Sequence, residues 1–319
     1  MLILRNGDHI TGEVKGLARG KLDYSTDDAG RLSVEWVKVA RLTSPNPFHA
    51  EDVSGVKHFG RLDAGESDGF VVIHDVSADT IPVALLVEIT PLNATFLQRV
   101  MAYFDLGFTL AKANQATTFS TDGELDYRGP DIGSTFSFDN YAQGQQNVPT
   151  TTRTTLRQSV SWYLPQRWSA VGIAQFEQND ELNLDHRWTA GGAMSRTVTH
   201  TNSQEISLGL GLVGTQEQFS SETGTSSKAS LEGLIASSWD AFRFDSPKLD
   251  FNTALAIFPS LSDAGRVRGQ WQLRLQYEVF KDFNAGVRFT DTFDSRPPDE
   301  TASKNDYLTT FTIGWSYRR

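Results

Sequence analysis

Between Arg266 and Val279 the chain alternates almost without error. Val267, Gly269, Trp271, Leu273, Leu275, Tyr277 and Val279 fall on one side, and Arg266, Arg268, Gln270, Gln272, Arg274, Gln276 and Glu278 on the other. Successive side chains of a β-strand point to opposite faces, so a period of two specifies a strand. A run of about 14 residues is more than twice the usual 5–6. A soluble sandwich hides its apolar face under a second sheet. A membrane barrel turns that face to lipid and its polar face to a wet lumen. The choice between them governs how the whole chain is read.

Composition narrows the classes. With 319 residues the chain holds one large or two smaller domains. A net charge of −10 and a pI near 5.1 argue against nucleic acid as a partner, since phosphate calls for a basic surface. The absence of cysteine removes disulfides, thiolate metal sites and thiol nucleophiles. Mean hydropathy is −0.35, and the longest apolar run, Ile81 to Val87, contains a proline, so no helix is expected to span a bilayer. Lumen-facing residues dilute the hydropathy of a barrel in the same way. Strand-like Leu2-Ile3-Leu4 follows Met1 at once, with no secretory leader before it. An exported form is therefore expected to be a processed or tagged product, or to start upstream.

Two regions differ in texture. Residues 1–97 carry short strand patterns at Asp8–Val14, Lys21–Ser25, Leu32–Trp36, Val39–Leu42, Val56–Leu62, Gly69–His74 and Ile81–Ile89, broken by turns such as Asn6-Gly7 and Arg19-Gly20. The endings Val39 to Pro45 and Val87 to Pro91 are alike, which predicts one or two small SH3-like β-barrel modules, 1–45 and 46–97. The segment Leu4 to Gly12 is similar to the opening hairpin of Sm-like folds. This acidic chain lacks the basic face RNA requires, so only the fold is implied.

From 98 to 319 about twelve long alternating segments are expected, starting near Met101, Gln115, Ile132, Thr152, Arg167, Asp185, Glu205, Ser227, Pro247, Gly265, Phe283 and Asp306. Polar loops (142–150, 179–185, 220–226, 259–265 and 295–305) alternate with tight turns, the arrangement of an antiparallel outer-membrane barrel with its short turns in the periplasm. Aromatic residues near the tight turns, among them Trp162, Tyr163, Trp168, Phe242 and Phe244, are expected to form an interfacial girdle. The fold class is thus all-β: a transmembrane β-barrel preceded by the small modules.

The run Phe176 to Asp180, Leu184-Asp-His-Arg187, Ala190-Gly-Gly192, Leu208-Gly-Leu-Gly-Leu212 and the closing strand Asp306 to Tyr317 resemble a family of uncharacterised outer-membrane proteins that includes salt-induced outer-membrane proteins. The resemblance covers about Val100 to the end and implies a barrel, without a substrate. Arg318-Arg319 after Tyr317 depart from the aromatic terminus common in such barrels.

Projecting the alternation inward assigns the lumen. Asp105, Asp122, Glu124, Asp126 and Asp139 make an acidic sector; Arg157, Arg187, Lys228, Arg266, Arg268, Arg274 and Arg288 add basic groups, with Glu177, Glu232, Asp240, Asp250 and Glu278 interspersed. Trp271, Leu273, Leu275, Phe311, Ile313 and Trp315 are expected to face lipid. Either the opposed charges set a transverse field across a pore, or they pair and fill the lumen. His186 beside Asp185 and His200 in a turn read as surface histidines. His9, His49, His58 and His74 show neither metal-ligand spacing nor aligned acidic partners, and Asp180-Glu181 and Asp299-Glu300 read as solvated loops.

The expected function is non-enzymatic, without cofactor or metal. It is a pore or structural barrel in the outer membrane of a Gram-negative-type bacterium, with outer-membrane lipid around it. Its amino-terminal domain would dock a periplasmic protein or cell-wall partner, or plug the lower mouth. The alternatives are a barrel-embedded hydrolase and a soluble all-β binding protein.

Overall fold

The computed structural model describes all residues except 75–77, 93–94, 112–115, 146–147, 222–223, 246, 281–282, 298–303 and 316–319. The short loop expected around Asn114, the tight turn expected at Lys281–Asp282, the acidic pair Asp299-Glu300 and the terminus from Ser316 therefore lie outside the described residues. The described residues are all-β with antiparallel pairing, and no helix is long and apolar enough to cross a membrane.

The first 91 residues form β1 (Leu2–Leu4), β2 (His9–Ile10), β3 (Glu13–Ala18), β4 (Lys21–Thr26), β5 (Gly30–Glu35), β6 (Val39–Leu42), β7 (Ser44–Asp52), β8 (Lys57–Ala64), β9 (Phe70–His74), β10 (Ala78–Pro82) and β11 (Leu86–Pro91). One connectivity occurs twice. β1 pairs with β2 and with β6, and β3 with β4 and β4 with β5; likewise β7 pairs with β8 and β11, β8 with β9 and β9 with β10. In each copy a single 3-10 turn, Trp36–Lys38 or Val83–Leu85, precedes the last strand.

The strand expected at Asp8–Val14 is two pieces, β2 and β3. The chain bends at Gly12, where a Cβ would collide with the carbonyl oxygen of Ser25. The copies share one core, including Leu17, Leu22, Trp36, Phe48, Leu62, Ile73, Val83 and Ile89. Trp36 joins the two 3-10 turns by donating its indole N–H to the Val83 carbonyl at 2.7 Å.

The remainder is one twelve-stranded sheet in sequence order. Its strands are β12 (Val100–Ala111), β13 (Ala116–Arg128), β14 (Ile132–Gln145), β15 (Val148–Tyr163), β16 (Trp168–Asn179), β17 (Leu184–His200), β18 (Gln204–Ser221), β19 (Gly224–Arg243), β20 (Leu249–Pro259), β21 (Val267–Phe280), β22 (Phe283–Asp294) and β23 (Asn305–Trp315).

Loop lengths depart from the expectation. Residues 142–150 and 220–226 are mostly strand: β14 runs to Gln145 before β15 starts at Val148, and β18 runs to Ser221 before β19 starts at Gly224. These segments are rich in Thr, Ser and Gln, polar enough for a loop yet compatible with an extended ladder, and β-branched Thr favours it.

The sheet curls about its polar face. Residues from β15 through β21 line one cavity on that side. In a flat sheet those strands would be spread over about 29 Å, at about 4.8 Å per step. Inward-facing Gly191 and Gly211 ease the bend, because a Cβ at either would strike the backbone of the neighbouring strand.

Replacing Trp36 by alanine empties the centre of the shared amino-terminal core. We expect a loss of about 3–5 kcal/mol, read as a lowered unfolding midpoint for this region with the twelve-stranded sheet intact.

Candidate functional site

Register places the charges. Asp105, Asp122, Asp139, Thr155, Glu177, Arg187, Glu217 and Lys228 stand directly opposite one another across β12 to β19 in one continuous row. Glu124, Asp126 and Arg157 share that face, as do Arg268, Arg274, Glu278 and Arg288 on β21 and β22. Trp271, Leu273 and Leu275 lie on the opposite, convex face, and so do Phe311 and Ile313, which are 76% and 77% exposed. Trp315 pairs with Phe283 on the same face, but its side chain lies outside the described residues.

The concave charges fall into three layers. At the end away from the amino-terminal domain, Glu217 is fully buried and Arg266 is 1% exposed. Glu217 accepts from Arg187 Nε at 2.7 Å and from Arg266 Nη1 at 3.0 Å. Arg187 also reaches Glu177 at 3.0 Å, and Arg266 reaches Asp294 at 2.6 Å. Beside them Arg268 holds Glu232, which also accepts from Thr215 at 3.1 Å. The loop after β20 folds against β19 and brings Arg266 inward: Leu261 N–H donates to Leu231 O at 2.8 Å, and Ser260 bridges to Glu232. Arg266 thus lies just before the strand it was assigned to. It and Arg268 lock against Glu217, Glu232 and Asp294, whereas Glu278 pairs with Lys248 at 3.2 Å.

In the middle layer the sheet places Arg274 directly opposite Arg288, both exposed, and Asp105 opposite Asp122. Like charges in register repel. Arg288 also attracts Asp122, although β22 and β13 are nine steps apart in the sheet. Between this layer and the buried one lies a cavity of about 360 Å³, with Arg157, Val171, Ile173, Leu234, Ala254 and Gln270 in its wall.

The third layer is the contact with the amino-terminal domain. Arg167, in a turn where it and Gln166 both take left-handed φ (61° and 59°), donates to Glu51 at 2.7 Å, Asp52 O at 2.7 Å and Val53 O at 3.0 Å. Arg128 meets Glu88 at 2.8 Å, and Asn202 donates to Leu86 O at 2.8 Å. Arg19 reaches Asp250 at 3.0 Å and covers the Phe242 ring, while Lys21 sits over Phe244. The domain therefore touches the turns after β13, β15, β17 and β19.

Three expectations need correction. His200 is not a free surface group; it is mostly buried, with Glu51 of the docked domain 3.7 Å away. Histidines of the amino-terminal domain do have acidic neighbours: His58 lies 3.0 Å from Asp79 and 3.6 Å from Asp52, and His74 3.5 Å from Asp63. Strand pairing brings these groups together, so spacing along the chain could not reveal them. The girdle is also incomplete, because Tyr163 and Phe242 point to the concave side and Phe242 is buried. Asp185 is engaged by Ser220, while among the described residues no ion pair involves His186.

Sequence reasoning passed over Glu217, Asp294 and the docking role of Arg167. Glu217 was legible from the phase of β18, since Leu208, Leu210 and Leu212 facing out oblige it to face in. The other two depend on loop paths that alternation does not encode.

A family model described as a protein of unknown function, DUF481, matches residues 104–317, and the chain belongs to that family. No curated protein matches it.

Two outcomes follow from this geometry. Glu217→Gln strips two buried arginines of their shared carboxylate and is expected to cost about 3–5 kcal/mol, measured as a lower urea midpoint. Burial alone would raise the Glu51 carboxyl, but His200 and Arg167 hold it down to about 2 from an ordinary 4.5. Its contribution to docking is complete above pH 4.5 and fades as pH falls towards 2. Spin-label distances between domain and sheet should broaden in that window, and in Glu51→Gln already at neutral pH.

Proposed function

We propose that this member of a family without an assigned function is a closed twelve-stranded β-barrel of the outer membrane, non-enzymatic, with a charged lumen shut at both ends. The observation that carries the reading is the contrast between faces. The convex side exposes Phe104, Leu106, Phe108, Leu208, Leu210, Leu212, Ile235, Phe311 and Ile313, among many others. A soluble monomer rarely leaves a contiguous apolar patch beyond a few hundred Å² uncovered, while the concave side holds buried carboxylates and guanidiniums. Lipid fits the first and an aqueous lumen the second.

The attraction of Arg288 for Asp122 supports closure of β23 onto β12. The resemblance to salt-induced outer-membrane proteins points the same way. In this reading the amino-terminal domain, with two SH3-like modules, lies in the periplasm and covers the lower mouth. Its surface away from the sheet is free for a periplasmic or cell-wall partner. The ion-paired layer closes the upper mouth, so the resting barrel is a closed chamber more than an open porin. Fixed charges of both signs inside would select polar solutes once it opened.

Membrane fractionation with heat-dependent migration on SDS gels tests the barrel. Leu210→Arg, placed in the belt on β18, is expected to cost about 2–4 kcal/mol near the bilayer midplane, whereas an exposed site on a soluble sheet would tolerate it. In planar bilayers the wild type should give only rare, brief openings, lengthened by Glu217→Gln and altered in ion preference by Arg274→Gln. Steady wild-type conductance would sink the closed-chamber reading, and a cytosolic, heat-insensitive protein would sink the barrel.

A further inference from the structure

The cavity beneath the buried ion-paired layer differs from the rest of the concave face. Barrel interiors are polar, yet here Val171, Ile173 and Leu234 converge with small residues such as Ala254 into an aliphatic wall. At about 360 Å³ it falls within the roughly 300–1,000 Å³ typical of small-molecule sites. Arg157 is the one charged side chain in its lining, with Gln270 and Gln272 as neutral amides.

Arg157 is held through Nε by Gln175 at 3.3 Å, and among the described residues no carboxylate lies within ion-pair distance of it. Its nearest acidic neighbours up the concave face are differently disposed. Glu177 is taken by Arg187, and Asp139, opposite Thr155, is solvent-exposed. A guanidinium fixed at one edge and open at the other presents a fork suited to a carboxylate.

We propose that this cavity binds a carboxylate-headed amphiphile, the headgroup on Arg157 and the aliphatic body against Val171, Ile173 and Leu234. The proposal rests on the barrel reading and deepens it by naming the class of solute. A cationic head would meet Arg157 with the wrong sign, and a neutral head would forgo the charge-assisted bond. The charged layer lies beyond the cavity, with Glu232 and Arg268 two residues along from Leu234 and Gln270, and entry from the middle of the lumen passes the exposed Arg274 and Arg288. Arg274 and Arg288 favour an anion along β21 and β22, while Asp105 and Asp122 of the same layer oppose it from β12 and β13, so the selection rests on Arg157.

The test uses the purified full chain in a nonionic detergent, first shown to come from the membrane fraction and to migrate heat-dependently. Calorimetric titration with decanoate, 1-decanol and decyltrimethylammonium compares three heads on one tail. Decanoate is expected to bind saturably at one site, at least tenfold tighter than the other two. Arg157→Gln should weaken decanoate at least tenfold and leave 1-decanol unchanged, with Arg157→Lys in between. Equal binding of the three probes, or decanoate binding indifferent to Arg157→Gln, overturns the proposal. The head-group series on the wild type decides the matter even if a variant fails to fold. An intact barrel that ignores decanoate refutes this inference alone, whereas a soluble, heat-insensitive protein refutes the barrel and the cavity with it.

Discussion

Unbroken strand pairing is the constraint on which the charged face, the apolar face and the ion-pair layer all depend, because one slip of register moves every side chain of a strand to the other side. The phase holds across twelve strands, and where it shifts, as between Glu177 and Asn179 or between Leu184 and His186, it does so at strand ends. Glu217 can therefore meet Arg187 from the adjacent strand and Arg266 from three strands away. Buried ions are costly unless paired and hydrogen-bonded. The network meets that condition by sharing: Glu217, Glu232 and Asp294 each serve more than one donor, and each of Arg187 and Arg266 more than one acceptor.

The contact between the amino-terminal domain and the sheet has another character. It includes hydrogen bonds to backbone carbonyls, ion pairs and cations over rings. The domain keeps its own core, organised around Trp36 and Val83, and of that core Leu86 offers its backbone carbonyl to Asn202. Such a polar contact allows separation without unfolding either part, as is usual for small interfaces between domains. A cavity of about 180 Å³ at this boundary, lined by Glu51, Arg128, Tyr163, Arg167 and His200 among others, leaves the contact incompletely packed.

Much of this was legible in the sequence because strands write their geometry in a period of two. All twelve long strands begin within about five residues of where alternation puts them, and register keeps the charged row on one face and Trp271, Leu273 and Leu275 on the other, while Tyr163 and Phe242 of the expected girdle fall on the charged face. What stayed hidden is what register alone does not carry. The inward fold of the loop before β21 moves Arg266 off the strand and into the buried layer. The partners of His58 and His200 arrive from distant strands or from the other domain. The expected loops at 142–150 and 220–226 failed for a related reason: Thr, Ser and Gln are as content in a solvated ladder as in a loop.

The lengths of the central strands carry a consequence of their own. β18 has 18 residues and β19 has 20, where a tilted strand needs about 9–11 to cross a bilayer. The outward side chains of β18 change from Leu208, Leu210 and Leu212 to Gln216 and Gln218 just where Glu217 points inward. In the proposed orientation the ion-paired layer therefore stands above the oily belt, as an arc from β16 to β22 with water outside it. In that orientation its stiffness would be set by its own guanidinium–carboxylate bonds and not by lateral pressure or membrane thickness. Salt and surface-bound ions would act on this rim directly, before anything reaches the bilayer.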